Sequence, residues 1–392
     1  MADTNELLLP EVRLFWSRVR RAGERGELSS GAPAPGGLKA DRVVFLLAFT
    51  LLLVLTVVLI VLSFPAGIYA VFSGHLSTAY TYNSGCVVSN LLVCNYFWLG
   101  PGIVVLPSGI PLGVWFALFA AVYASFFVLA LKEHDGPRKA IASSVRSGVG
   151  SLLTSPIIVV IVSIGFFAFT TNLVTAATSA TGAPIGGPQG DPLGLFVSLA
   201  YAPFVEELGF RVLLIGVVAV ILSMGRPWKT ALAALWRPSR AIEGLALGSG
   251  ASIIIWAATG FSAATFGACH VVCGSTWDVA KLPEAIYGGV VLGYVYVRYG
   301  LHVAVLTHWG LDYLGYAFSF FGQAAYGIPW TASLPGEYIG QYVVDIDLLF
   351  LIGLISFLLV LYLGAKKLAR WRSGESSGEF DKGLLEGGGV EA

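Results

Sequence analysis

The sequence predicts an all-α membrane protein with about eight transmembrane helices. Of its 392 residues, 56% are hydrophobic and only 12% are charged, and the mean hydropathy is +0.79. Soluble domains of this length do not have such a composition. Apolar runs of about 20 residues, the length that spans a bilayer, recur along the chain. They lie at Val43–Phe64, Ile110–Leu131, Leu152–Thr170, Leu193–Met224, Ala241–Cys273, Glu284–Val297, Leu301–Phe321 and Val344–Gly364.

The distribution of positive charge predicts how these spans are oriented, because cytoplasmic loops carry most Lys and Arg residues. With eight spans and an inner N-terminus, only Lys281 of the 23 Lys and Arg residues falls in an outer loop, and Arg211 falls within a span. We therefore expect a multi-pass protein of the cell membrane with both termini cytoplasmic. Its parts are a basic N-terminal segment and linker (1–42), a transmembrane domain (43–365) and a tail (366–392). The zero net charge gives no indication of a nucleic-acid partner, so the lipid bilayer is the expected environment.

The four cysteines are too few for a disulfide framework. Cys86 and Cys94 share an outer loop, where a disulfide and two unpaired small residues are equally compatible with the sequence. Cys269 and Cys273 are predicted to be small packing residues near a helix end, although a metal cluster with the intervening histidine is conceivable. His302 lies next to a loop and is predicted to face water.

The stretch Tyr201–Leu214 places Glu206, Glu207 and Arg211 inside an apolar run. Charges at membrane depth are costly unless they are paired or face a wet cavity, so ionisable residues there indicate a functional site. Glu207 and Arg211 are four residues apart on one helix face, and we expect them to pair. Glu206 points away from both and lacks a local partner. Pro203 is expected to loosen or kink the helix just before Glu207.

Two later spans carry further polar groups. Phe266 and His270 are one helical turn apart, as are His308 and Asp312. With Glu206, the two histidines and Asp312 form a minimum set for water chemistry, in which a carboxylate takes a proton and other groups stabilise an oxyanion. The same four groups could instead hold zinc, although the HExxH pattern is absent. The alternative is a membrane transporter or proton-coupled carrier that uses them as a proton relay.

The predicted depth of His270 is a difficulty for a single site. His270 follows the inner start of its segment by about 30 residues, which places it near the outer end, whereas Glu206 is expected near the middle of the membrane. The segment therefore either begins as an interfacial stretch or breaks near Gly260 and dips back into the membrane.

Three motifs occur in order on successive spans: EELGFR, FGACH and HWGLD. They resemble those of the CAAX prenyl protease and bacteriocin-processing (CPBP) intramembrane proteases, which include the type II CAAX endopeptidases. That family's pattern is EExxxR, then FxxxH, then HxxxN or a similar residue. The Gly-rich stretch YGGVVLGYVYVRYGLHVAVLTH resembles the family as well. The resemblance covers residues 193–321, a protease-like core.

The resemblance implies an endopeptidase acting on membrane-associated or lipidated, CAAX-type peptides. It implies that Glu206 and His270 activate the attacking water and that His308 and Asp312 stabilise the oxyanion. The supporting residues that it implies are Glu207, Arg211 and Phe266.

Asp312 departs from the family pattern, because Asn is common at this position. An ionised Asp312 would repel an oxyanion, so the side chain must be protonated or must bind a metal instead. The family has been described both as metalloproteases and as glutamate-dependent proteases. Zinc held by Glu206, His270, His308 and Asp312 is therefore one prediction, and a metal-free site is the other.

Overall fold

The structure, a computed structural model, describes residues 40–76, 80–81, 87–88, 92–99, 102–133, 136–147, 149–187, 192–243, 249–273, 277–329 and 348–372. The chain divides into two compact units, residues 1–47 and 48–392. Of the first unit, the described part is helical. The predicted N-terminal linker and most of the predicted tail lie outside the described residues.

All the long elements are helices, which confirms the predicted all-α membrane class. They are α1 (Ala40–Phe72), α2 (Leu112–Lys132), α3 (Gly136–Ser147), α4 (Pro156–Ser179), α5 (Pro192–Glu206), α6 (Val217–Leu222), α7 (Trp228–Trp236), α8 (Pro238–Glu243), α9 (Ser249–Val272), α10 (Leu282–Tyr299), α11 (Leu301–Trp309), α12 (Gly315–Tyr326) and α13 (Leu348–Arg372). Short 3₁₀ helices cover Val149–Thr154 and Val279–Lys281.

Two segments have π-helical hydrogen bonding and join α-helices into continuous rods. The first, π1 (Glu207–Gly216), connects α5 to α6, and the second, π2 (Gly310–Leu314), connects α11 to α12. Such segments are rare and frequently occur at functional sites. The change at Glu207 follows Pro203 by four residues, where the sequence predicts that the missing N–H loosens the helix.

Four short strands occur between α1 and α2, in a segment that the sequence predicts to be mostly outer loop. They are β1 (Tyr80–Thr81), β2 (Val87–Val88), β3 (Leu92–Leu99) and β4 (Gly102–Pro111). Each successive pair is antiparallel, and β3 and β4 form a hairpin whose register runs from Leu99 opposite Gly102 back to Leu92 opposite Pro111. The pairing is irregular between Leu92 and Cys94.

Four described helices are long and apolar enough to cross a membrane. They are Val44–Phe72, Gly113–Lys132, Pro156–Ser179 and Gly250–Val272, and the shorter apolar stretch Phe350–Ala365 lies within α13. These helices confirm an integral membrane protein. The count of eight spans and the cytoplasmic termini stay predictions.

The centre of the bundle is formed by α4 and α11. All nine residues of α11 are buried, as is most of the membrane-spanning part of α4. The helix formed by α11 and π2 approaches α4 closely where Gly310, at the start of π2, lies against Ile164 of α4. A β-carbon at Gly310 would collide with that side chain, so the close approach depends on a glycine.

Two predictions about individual segments are wrong. The segment Ala241–Cys273 does not break near Gly260, because α9 is one continuous helix from Ser249 to Val272. The segment's first residues, up to Glu243, belong to the separate helix α8. His302 does not face water, because its side chain is completely buried.

His302 has a specific environment at the start of α11. Its ring stacks on Trp236 at a centroid distance of 5.3 Å, and its Nε2 lies 2.9 Å from Oε2 of Glu133. Glu133 also pairs with Arg240 through Oε1 at 3.0 Å. Residues from α7, α8 and the end of α2 therefore enclose the start of the central helix.

Candidate active site

The centre of the candidate site is an ionic chain from Arg211 through Glu207 to His308. The Nε atom of Arg211 lies 3.2 Å from Oε2 of Glu207, and both side chains are completely buried. This confirms the pairing that the four-residue spacing predicts. The other carboxylate oxygen, Oε1, lies 3.0 Å from Nδ1 of His308, which links π1 to α11. Glu207 therefore fixes two further side chains at once.

The contact with Glu207 also determines which nitrogen of His308 is available for chemistry. An ionised carboxylate can only accept a hydrogen bond, so Nδ1–H of His308 must donate. In the neutral imidazole, this leaves Nε2 without a proton and turned toward the other two carboxylates. Such a partner on the far nitrogen is the usual way in which proteins set a histidine's tautomer and orientation.

Glu206 and Asp312 face this second nitrogen from two sides. Oε2 of Glu206 lies 3.8 Å from Nε2 of His308, and Oδ2 of Asp312 lies 3.4 Å from it. Glu206 and Asp312 retain 11% and 21% side-chain exposure, whereas Glu207 has none. Glu206 thus lies outside the Glu207–Arg211 pair, as the sequence predicts. The carboxylates of Glu206 and Asp312, with the Nε2 edge of His308, form the accessible side of the cluster.

Phe266 packs against both His270 and the same cluster. Its ring lies 4.5 Å from the ring of His270 and 6.0 Å from that of His308, between ring centroids. The guanidinium carbon of Arg211 lies 4.4 Å above the same ring, within the range of a cation–π interaction. The structure therefore places His270 beside the cluster, even though the sequence places it near the outer end of its helix.

The orientation of His270 is set by its own helix. Its Nδ1 lies 2.9 Å from the carbonyl oxygen of Phe266. A carbonyl only accepts, so Nδ1–H donates and Nε2 carries the lone pair in the neutral ring. The side chain is half-buried, and the backbone beneath it is tied to π1 by a hydrogen bond from Ser262 Oγ to the carbonyl oxygen of Phe210 at 2.7 Å.

The cysteines flanking His270 differ from the prediction. Cys269 and Cys273 are bonded to each other as a disulfide across one turn at the end of α9, so they are neither two separate packing residues nor a metal cluster. Cys269 is buried against Phe210 and Phe266, and therefore braces the turn that carries His270. The Cys86–Cys94 prediction is not tested, because Cys86 lies outside the described residues.

Among the described residues, no group of three or more His, Cys, Asp or Glu side chains is arranged to hold a metal ion. The contacts at Nδ1 of His308 and His270 leave Nε2 of each ring available, so they are compatible with a metal ligand as well as with a metal-free site. The zinc prediction stays a prediction, and the chemistry below is derived from the side chains.

The comparisons with known proteins support the resemblance seen in the motifs. Residues 188–314 match the family model described as type II CAAX prenyl endopeptidase Rce1-like. This part of the chain is therefore similar to the Rce1-like family. No curated protein and no solved structure matches the chain.

The matched segment contains every predicted site residue, and the family model that it matches describes an endopeptidase. It begins just before α5 and ends at Leu314, the last residue of π2, so it comprises both π-helical segments and the helices between them. The match gives no support to the carrier alternative. The roles of the individual side chains are proposals, which are argued next.

Proposed function

We propose that the protein is an intramembrane endopeptidase that hydrolyses peptide bonds of membrane-associated peptides, with lipidated CAAX-type tails as the preferred class. The observation that carries this proposal is the meeting of Glu206, His308 and Asp312 around one imidazole edge inside an otherwise apolar helix bundle. Buried ionisable clusters of this kind are costly in a membrane and are typical of functional sites. The Rce1-like match supports the class of reaction and of substrate.

Glu206 is the proposed general base. Its carboxylate takes a proton from water while the water oxygen forms a bond to the scissile carbonyl carbon, and the carbonyl π electrons move onto oxygen to give an oxyanion. When the intermediate collapses, the C–N bond breaks and the leaving nitrogen takes the proton from Glu206. His270 accepts a hydrogen bond from the attacking water through Nε2, the nitrogen that its backbone contact leaves without a proton.

His308 is the proposed oxyanion-stabilising group. In its protonated form, Nδ1–H donates to Glu207 and Nε2–H is directed toward the accessible side of the cluster. A donor aimed at developing negative charge in a dry site is usually among the largest contributions to catalysis. Glu207 and Asp312 are the carboxylates that favour the protonated ring, and Arg211 holds Glu207 in place.

A peptide-cleavage assay tests the proposal directly. Purified wild type and Glu206→Gln are compared on an internally quenched peptide with a prenylated CAAX tail, in detergent micelles. Wild type is expected to cleave it, and Glu206→Gln is expected to lose at least about a hundredfold in kcat because the base is gone, with an unchanged melting temperature. Full activity of Glu206→Gln would refute the assignment of the base, and no cleavage by wild type would refute the function. A matched peptide without the lipid tests the substrate class.

A further inference from the structure

The disulfide between Cys269 and Cys273 encloses His270 at the end of α9. Its cysteines are four residues apart and therefore one turn apart on the helix, so the bridge spans the turn that carries the imidazole. This turn is the last of α9, which ends at Val272, and its backbone is closed by a hydrogen bond from the N–H of Cys273 to the carbonyl oxygen of Cys269 at 3.1 Å. The mechanism proposed above does not use the disulfide.

The end of a helix is its least constrained part. The last carbonyl groups have no partner within the helix, and terminal turns open locally at a low cost in free energy. His270 needs the opposite, because its Nε2 must stay within hydrogen-bond distance of the attacking water. A misplacement of about 1 Å can lower a rate about a hundredfold. A cross-link in this turn is therefore expected to affect catalysis more than it affects the stability of the fold.

The two cysteines differ in how they are packed. Cys269 is buried in a small core with Phe210 and Phe266, and the ring of Phe266 lies 4.5 Å from that of His270, between ring centroids. Cys273 is only half-buried and packs at the edge of this core. The disulfide therefore ties the end of α9 to the aromatic ring against which His270 packs, and it leaves Cys273 as the more accessible of the two cysteines.

We propose that the Cys269–Cys273 disulfide is a redox-sensitive clamp that positions His270 for catalysis, and that its reduction by a thiol lowers the activity. This inference rests on the proposed peptidase function. One thiolate of a dithiol reductant attacks the sulfur of Cys273, the S–S bond of the protein breaks, and Cys269 leaves as a thiolate that takes a proton. The second thiol of the reductant then displaces Cys273, so that the reductant becomes a disulfide and the protein gains two electrons and two protons.

The predicted orientation of α9 agrees with such a clamp. The distribution of Lys and Arg residues predicts that the segment ending at Cys273 ends on the outer side of the membrane. Disulfides persist in oxidising surroundings outside the cytoplasm and are rare within it. The oxidised, clamped form is therefore the expected resting state, and thiol reductants are the chemical class that releases it.

The test measures kcat and KM of the oxidised and the reduced protein in the cleavage assay, with the redox state read from the mass of the alkylated chain. All measurements are repeated in a Cys86→Ser/Cys94→Ser background, which removes the other two of the four cysteines. Reduction is expected to lower kcat at least about tenfold with little change in KM, and reoxidation should restore it. The melting temperature should change little, because a bridge across one turn constrains the unfolded chain only weakly.

Cys273→Ser separates the covalent bond from the packing of Cys269. It removes the bridge but leaves the buried cysteine in place, so its kcat should equal that of the reduced protein and should no longer respond to the reductant. A second comparison tests whether the clamp acts through His270. The variant His270→Ala keeps the proposed base, Glu206, and therefore a residual rate. Adding Cys273→Ser to it should change this rate less than about twofold, because no imidazole is left to position.

Three results would overturn the inference. The first is free thiols at Cys269 and Cys273 in protein purified without a reductant, and the second is an unchanged kcat after complete reduction. The third is an equal loss from Cys273→Ser with and without His270. Each can occur while wild type cleaves the peptide and Glu206→Gln does not, so this failure is distinct from a failure of the proposed function. Wild type that cleaves nothing in either redox state would refute both.

Discussion

Glu207→Gln should separate the stability of the site from its activity. Glu207 has no exposure and makes two contacts, with Nε of Arg211 at 3.2 Å and with Nδ1 of His308 at 3.0 Å. Glutamine has nearly the same shape and retains one acceptor oxygen, but it removes the charge. The terminal nitrogens of Arg211 already have no hydrogen-bond partner among the described residues, so the guanidinium would lose its counter-charge while completely buried.

The magnitude follows from the burial of the pair. Removing one partner of a buried ion pair typically costs about 3–5 kcal/mol, because the other charge is left uncompensated. Loss of a carboxylate that orients a functional histidine typically lowers activity about 10–100-fold. Glu207→Gln should therefore show a clearly lower melting temperature and a lower kcat, with cleavage measured below the melting transition.

The double variant Glu207→Gln/Arg211→Met provides the control. It removes both charges, and replacing a buried pair by neutral groups of similar size is often neutral for stability. It should regain most of the melting temperature in detergent but not the activity, because His308 still lacks its charged partner. A Glu207→Gln protein that melts like wild type would refute the argument, since the Glu207–Arg211 ion pair would then contribute nothing to the stability of the fold.

Two further outcomes are expected. Gly310→Ala should lower the free energy of unfolding by about 1–3 kcal/mol, because the new β-carbon collides with Ile164. It should also reduce cleavage, because Gly310 lies only two residues from Asp312. The double variant Gly310→Ala/Ile164→Ala should restore much of both, as measured by thermal melts and the peptide assay. For the zinc prediction, the protein is dialysed against a chelator, and its metal content and cleavage activity are then measured. Retained activity is expected of the metal-free mechanism proposed above, whereas a loss that zinc alone reverses would show a metal site.

The sequence predicts the local part of the site well and the long-range part poorly. The spacing of Glu207 and Arg211 identifies their pairing, because residues four apart meet on one helix whatever surrounds it. The same reasoning leaves Glu206 apart from that pair. It does not predict that His308 contacts Glu207, because helical periodicity indicates which residues share a face but not which distant helix faces them.

The errors have a similar physical origin. His302 lies two residues after Gly300, where α10 ends and α11 begins, and is predicted to face water because it is next to a loop. The whole of α11 is buried, and Glu133 and Trp236 enclose the ring. The break near Gly260 is wrong because a glycine within a packed helix costs only about 1 kcal/mol and need not interrupt it. Both errors arise where tertiary packing overrides a local signal.

The aromatic side of α11 explains how one imidazole edge can be held so closely. Trp309 stacks on Tyr313 at 4.8 Å and lies 5.6 Å from Tyr123, between ring centroids. Adjacent residues on a helix point about 100° apart, so fixing Trp309 in this aromatic layer also fixes the direction of His308. The contact with Glu207 then restricts the remaining rotation of the His308 ring. Large rings on one face and a charged partner on the other thus preorganise the site, which is what stabilisation of a transition-state charge requires.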